Sequence, residues 1–339
     1  MPDTTSPTRV AIVATPDSMA SPIGGLFEAL RSIGELTAPE ERVASRPDPF
    51  EVEVVGERAG PLTSASGLEV TVHRAIADVD HADVVIIASM AFGHEEEWTP
   101  GRYPQLVRWL AAMHAGGATL CAACTGTNLA AETGLLDGNE ATVHWASEQD
   151  FRRRHPDVLL RPADALVISG EGGRIVTSGA SSAWHDLALH LISTHVGPST
   201  AQAVARFLLW QWHQGGQAPF QVFDPATDHG DAAILAAQRG IAEHYAVASP
   251  VDEMVRWSGL APRTFARRFK AVTGHTPIDY VQRIRVERAK RLLETSGETV
   301  DEISWAVGYE DPASFRRLFK RVTGMAPRAY RQRFRIPVR

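Results

Sequence analysis

Phe265 to Arg285 reads FARRFKAVTGHTPIDYVQRIR, and Phe315 to Arg335 reads FRRLFKRVTGMAPRAYRQRFR. Shifted by 50 positions, 12 of the 21 residues are identical. Upstream the match continues at a shift of 49: Val251-Asp252-Glu253-Met254 pairs with Val300-Asp301-Glu302-Ile303, and Gly259 with Gly308. The extra residue falls where the second copy has Glu310-Asp311-Pro312 and the first has Ala261-Pro262. A residue inserted in a turn is tolerated, whereas one inserted in a helix rotates its apolar face. Each copy therefore reads as one supersecondary unit, used twice.

Each unit reads as helix, tight turn, helix. In the second, Val300 to Val307 is a short helix stopped at Gly308, where a left-handed backbone suits glycine. Asp311-Pro312 supplies an N-cap and a proline at the first helical position. Phe315, Leu318, Phe319 and Val322 then form an apolar stripe, with Arg316, Arg317, Lys320 and Arg321 on the other positions. The first copy places Phe265, Phe269 and Val272 inside and Arg263, Arg267, Arg268 and Lys270 outside. This is the spacing of a helix-turn-helix, and a basic second helix suits a major groove. A plain bundle with a solvated basic face is the bland alternative. Ile278 to Leu293 reads as a long helix between the units, its apolar positions Ile278, Val281, Ile284, Ala289, Leu292 and Leu293.

Charge agrees. The 339 residues carry a net charge of −6, but residues 250–339 hold 19 basic and 10 acidic residues against 15 and 30 in residues 1–249. An acidic body with a basic tail piece points to a polyanionic partner. The rest of the composition is that of a folded protein: 44% hydrophobic and 22% charged. No apolar run reaches the roughly 20 residues of a membrane span, and Met1-Pro2-Asp3-Thr4 does not open a secretory signal. Two cysteines make no disulfide framework, so a cytoplasmic location is expected.

Upstream, Gln214 to Pro219 breaks a helical stretch running from Ser199 to His213, and Phe220 to Gly230 has no periodicity. Before it, buried strands alternate with helical patterns. Val10–Ala14, Glu51–Val55, Leu68–Val72, Val84–Ala88 and Thr119–Ala123 read as strands, with helices at Pro104–His114, Thr125–Glu132 and Trp184–His195. Ala165–Ser169 and Arg174–Thr177 flank a glycine-rich hairpin turn. The expected fold is a doubly wound, flavodoxin-like α/β domain over residues 1–198, a helix and linker over 199–230, and an all-α domain over 231–339. Leu208, Leu209, Trp210 and Trp212 form an apolar stretch that suits core packing or a dimer contact.

Cys121 and Cys124 form a Cys-x-x-Cys without a second ligand pair, so no metal or cofactor is expected. Cys121 alternates within a strand and reads as core. Cys124 sits at a strand-to-helix turn, which exposes a side chain at the carboxyl edge of a sheet and favours a nucleophile or a bound anion. His144, 20 residues on, is placed to approach the thiol, so a Cys–His hydrolase is one reading; a purely structural cysteine is another. Asp186 reads as a cap or internal partner, and Glu95-Glu96-Glu97 beside Trp98 as a solvated loop that can border the pocket.

Two family resemblances follow. VGYEDPASFRRLFKRVTGMAPRAYR, Val307 to Arg331, carries a likeness to AraC-type DNA-binding domains, which implies seven helices and transcriptional regulation. By position, it implies base-facing roles for Arg263, Ala266 and Arg267, and for Ala313, Ser314, Arg316 and Arg317. Thr264, Arg268, Lys270, Lys320 and Arg321 complete the expected DNA-binding set. ACTGTNLAAETGLLDGNEATVHW, Ala123 to Trp145, resembles the PfpI and class I glutamine-amidotransferase-like fold, and the combination resembles the GlxA subgroup of AraC-type regulators. That likeness omits the linker and an insert at about Pro39 to Pro49. Catalytic relatives place an acid where Ser18 stands and a glycine pair where Ser89-Met90 stands; Asp17 is a substitute acid to consider. The resemblance thus implies a non-catalytic pocket for an unknown small effector, lined by Cys124, Thr125, His144, Ser18 and Met90. The expected partners are double-stranded DNA, that effector, a second copy in a homodimer and, as a candidate, RNA polymerase. The alternatives are a Cys124/His144-dependent hydrolase, amidase or glyoxalase-like enzyme fused to a DNA-binding domain, and an inert dimerisation module.

Overall fold

The computed structural model describes residues 6–33, 48–91 and 98–336. Residues 39–47 of the insert and Glu95-Glu96-Glu97 lie outside them. The chain forms two compact units that meet in sequence between Gln217 and Ala218.

The first unit holds strands β1 (Thr8–Val13), β2 (Phe50–Gly56), β3 (Gly60–Thr63), β4 (Glu69–Val72), β5 (Arg74–Ala75), β6 (Val84–Ile87), β7 (Thr119–Ala123), β8 (Glu140–Ala141), β9 (Leu159–Leu160), β10 (Leu166–Ser169) and β11 (Ile175–Ser178). Seven of them make one sheet in the order β10-β11-β7-β6-β1-β2-β5, parallel except for β10. Val84 to Ile87 is buried on both faces, as an apolar, β-branched central parallel strand requires. Its helices are α1 (Ala20–Arg31), α2 (Pro104–Ala115), α3 (Thr127–Ala131), α4 (Glu148–Arg154), α5 (Trp184–His195) and α6 (Pro198–Phe207). Ile23, Leu26 and Leu30 of α1 and Leu187, Leu191 and Ile192 of α5 fill the core on one face; Leu106 and Leu110 of α2, Leu129 of α3 and Phe151 of α4 fill the other. Helices on both faces of a parallel sheet make this the expected doubly wound fold.

Two helical expectations change. The pattern from Ser199 to His213 is helical only to Phe207, because Leu209 turns left-handed (φ 56°) and the Trp210 N–H reaches back to Ala205 O (2.8 Å). Leu208 and Trp210 then pack on the core, whereas Leu209 is 88% exposed. The helix after Cys124 starts as a tight 3₁₀ turn, Cys124–Gly126, before α3.

After a 3₁₀ turn at Ala218–Phe220, the second unit contains seven α-helices among the described residues: α7 (Ala232–Glu243), α8 (Pro250–Ser258), α9 (Pro262–Thr273), α10 (Pro277–Thr295), α11 (Val300–Ala306), α12 (Pro312–Thr323) and α13 (Pro327–Phe334). The sequence repeat is a structural one. Phe265, Phe269 and Tyr280 are buried in one core, and Phe315, Phe319 and Tyr330 in the other. Thr273 and Thr323 each bond the carbonyl four residues back (2.7 and 2.8 Å), and Gly274 and Gly324 each end their helix left-handed. α10 lends Tyr280, Val281 and Ile284 to the first core and Val286, Ala289 and Leu293 to the second. Ile278, assigned to its apolar face from sequence, is 50% exposed: it sits in the first turn, ahead of the packed positions.

Candidate functional site

Two places carry the chemistry: the carboxyl edge of the sheet and the exposed faces of α9 and α12.

The strand order reverses between β1 and β6, so the crevice beyond their carboxyl ends is where such sheets take ligands. Here the crevice is stitched. Ser18 and Met90 pair as an isolated antiparallel bridge, the Met19 N–H bonds Ser89 O (2.8 Å) and the Ala91 N–H bonds Asp17 O (2.8 Å). Thr125 accepts from Met90 N (2.9 Å) and donates to Met90 O. Ser18, Met90, Thr125 and Cys124 are therefore brought together. Ser18 is fully buried and spends its hydroxyl on its own turn, accepting from Thr15 N (2.9 Å). Met90 is core, 3% exposed.

Cys124 has φ 55°, the strained conformation of a residue turned out at a strand-to-helix elbow. Gly126 allows the turn to close, since a Cβ there would stand 2.6 Å from Ala88 O. The thiol is nonetheless buried. That burial pushes its pKa up, against the pull of the Thr125 N–H and the hydroxyls of Thr125, Ser89 and Ser181. The thiol–imidazole pair that the alternative hydrolase reading needs is not formed: among the described residues no hydrogen bond joins Cys124 to His144. His144 Nδ1 instead accepts from Ala146 N (3.1 Å), capping a 3₁₀ turn, and burial lowers its pKa. Asp17 does not substitute for the absent acid either. Arg102 Nε (2.7 Å) and Tyr103 Oη (2.5 Å) hold its carboxylate, and burial together with that bond pushes Tyr103 up to about 12.

Two buried polar atoms near these strand ends lack partners among the described residues: Ser178 Oγ and Gln217 Oε1. Buried polar groups are rarely left so. Gln217 was not visible in sequence, lying 73 residues beyond His144 with no motif around it. Its Nε2 donates among Thr142 Oγ1 (3.1 Å), Val143 O (3.0 Å) and Asp164 O (3.0 Å), and its amide fills the space a side chain at Gly179 would need. It thus supports the strand that leads into His144. Asp186, a buried carboxylate, accepts from the His213 N–H (2.7 Å) and pairs with its Nδ1 (2.6 Å).

In the helical unit, α8-turn-α9 and α11-turn-α12 are the two helix-turn-helix units. Gly259 (φ 64°) and Gly308 (φ 89°) make the left-handed stops. Asp311 caps α12 through Ala313 N (2.9 Å) and Ser314 N (3.0 Å). Phe265 and Phe315 point inward, which turns Arg263, Ala266, Arg267 and Lys270, and Ala313, Arg316, Arg317, Lys320 and Arg321, outward as exposed side chains; Thr264 and Ser314 are half-buried. The cations are not equivalent. Arg263, Arg267 and Lys270 make no ion pair or hydrogen bond among the described residues. Arg268 is half-buried and grips Asp231, the N-cap of α7, through Nε (3.1 Å) and a terminal nitrogen (2.8 Å). Arg316 pairs with Asp301, Arg317 bonds Ser314 Oγ (2.7 Å) and Arg321 bonds Gln282 (2.9 Å).

No helix among the described residues is long and apolar enough to cross a membrane, and they contain no cluster of three metal-ligating side chains.

Known proteins share both halves. Residues 27–194 match the DJ-1/PfpI family and residues 254–333 a helix-turn-helix domain. The chain is 26% identical over 294 residues to the HTH-type transcriptional regulator CdhR of Pseudomonas aeruginosa, covering 85% of this chain and 84% of that one. It is 27% identical over 301 residues to the HTH-type transcriptional regulator GlxA of Rhizobium meliloti, covering 84% and 86%. Isonitrile hydratase of Pseudomonas putida is 30% identical over 190 residues, 55% of this chain and 77% of the enzyme. With regulators alike along both units, a sheet of DJ-1/PfpI type and a doubled helix-turn-helix, the chain belongs to the AraC-type transcriptional regulators that carry a DJ-1/PfpI domain.

Proposed function

We propose that α9 and α12 read two successive major-groove segments of one operator, with Arg263 and Arg267 in the first unit and Arg317 in the second discriminating bases. Ala266 and Ala313 offer contact to thymine methyl groups, and Lys270, Lys320 and Arg321 hold phosphates. The observation that carries this reading is the outward set of cations on two helices whose opposite faces are locked by Phe265, Phe269, Phe315 and Phe319. The sensor unit takes up a small effector at the carboxyl edge, around Cys124, Thr125, His144, Ser18 and Met90, without transforming it. The protein acts in the cytoplasm as a homodimer, with RNA polymerase as a downstream partner. DNA selected from a random library by the full chain, then titrated by fluorescence anisotropy, tests the reading. The selected sequence should bind at least about 10³-fold tighter than a scrambled one, with affinity falling steeply in salt. Equal, weak binding to both would defeat it.

Absence of catalysis rests on the buried thiol, which has neither an imidazole nor a free carboxylate bonded to it. The elbow conformation of Cys124 favours the opposite reading, a tethered hydrolase. Alkylation by iodoacetamide separates the two. A thiol pushed up by burial reacts slowly at pH 8, and its rate climbs only above the ordinary value of about 8.5. The sign also fixes a stability effect: the unfolded thiol ionises first, so stability falls as pH rises past the unfolded value. Rapid alkylation of the folded chain at pH 7 would support the enzyme.

A further inference from the structure

Arg285 lies midway along α10 and is 7% exposed, whereas its repeat counterpart Arg335 is exposed. A buried guanidinium needs partners. Among the described residues no carboxylate supplies them. Nε donates to Tyr245 O (2.7 Å), one terminal nitrogen to Val247 O (2.8 Å) and the other to Gly308 O (2.9 Å), while the guanidinium lies over the Tyr309 ring (5.1 Å). Tyr245 and Val247 belong to the connection that feeds α8, the first helix of the first unit. Gly308 and Tyr309 are the turn of the second unit. One side chain therefore ties segments 40, 38 and 23 positions away from it in sequence. The seat is close: a Cβ on Gly308 would come within 2.8 Å of Ala246 Cα and O.

We infer that Arg285 is a positioning residue that sets the register between the two recognition helices, and so determines the spacing at which the two DNA segments are read. It touches no DNA in this account, and the inference rests on the two-segment reading above. A planar fork of five donors fixes three carbonyls in three directions; an ammonium on a flexible stem cannot hold the same angles. Successive bases are about 3.4 Å apart along a strand, so a displacement of one such step changes which bases the second helix meets. A residue that served packing alone would weaken binding to every spacing alike.

The test uses the full chain and the DNA it selects from a random library, rebuilt with one base pair removed or added between the two contact blocks, and a duplex carrying one block alone. Wild type should favour the selected spacing over either neighbour by about 10-fold or more, a few tenths of the roughly 10³-fold or greater site preference on a logarithmic scale. Arg285→Lys and Arg285→Met should lower that ratio to about 3-fold or less, with one-block binding within about 2-fold of wild type. Retention of the full ratio in a folded Arg285→Lys chain would overturn the inference, as would equal losses on all spacings and on the single block. If both variants fail to fold, Tyr309→Leu, which keeps the three hydrogen bonds and removes the ring beneath them, carries the test. A reduced spacing ratio supports the inference and an unchanged one rejects it. Selection of a single block by wild type would instead remove the two-segment reading itself, and the role of Arg285 with it.

Discussion

The two helix-turn-helix units share a core and differ at its margins. Phe265 and Phe315, Phe269 and Phe319, and Tyr280 and Tyr330 occupy the same buried places. The caps do not correspond. α12 begins on Asp311, whose carboxylate takes two backbone N–H groups, while α9 begins on Ala261 with no side-chain cap. The turns also differ: Gly259 faces open space, and Gly308 is pressed against Ala246. A repeat preserves what packs internally. What each copy meets outside itself decides the rest.

That contrast gives predictions of descending size. Gly308→Ala should destabilise the helical unit by about 2–4 kcal/mol, from left-handed strain and overlap with backbone. Gly259→Ala should cost only the strain, about 1–2 kcal/mol. Denaturant unfolding of the two variants checks this, and equal losses would mean that the turns are interchangeable. Next, Arg267→Ala should cost about 1–3 kcal/mol of binding and relax the preference at one base position. Arg268→Ala, whose guanidinium is committed to Asp231, should leave base preference intact. Titrations on operator variants with single base changes decide between them; the same relaxed position in both would place Arg268 at the bases. Smallest, Ala261→Ser should add about 0.5–1 kcal/mol by giving α9 the side-chain cap that α12 already has. No gain in the unfolding midpoint would mean that the Ala261 backbone geometry does not admit a capping bond.

The sequence made the second unit easier to read than the site in the first. Repetition, helical periodicity and the glycine and Asp-Pro punctuation are local signals, and they located the helices of each copy. The buried run Val84 to Ile87 and the hairpin glycines after Ser169 likewise announced the sheet. Cys124 was legible as an elbow because its neighbours in sequence make the turn. The composition of its surroundings was not. Ser89 is marked by the family likeness alone, and nothing local marks Ser181. Spacing suggests that His144 approaches Cys124, whereas the imidazole caps its own turn. Arg285 was hidden by the repeat, which presents it as the equal of an exposed arginine. At Leu209 the helical pattern of the sequence runs on through a residue that the backbone turns left-handed.

Hydroxyl-radical footprinting of the full chain on its selected DNA tests the central claim, that both helices read DNA together. The account predicts, for each bound protomer, two protected blocks on one face of the duplex, centred about one helical turn or 34 Å apart. Arg267→Ala should weaken one block and Arg317→Ala the other. A single protected block, unaffected by one of these substitutions, would contradict it.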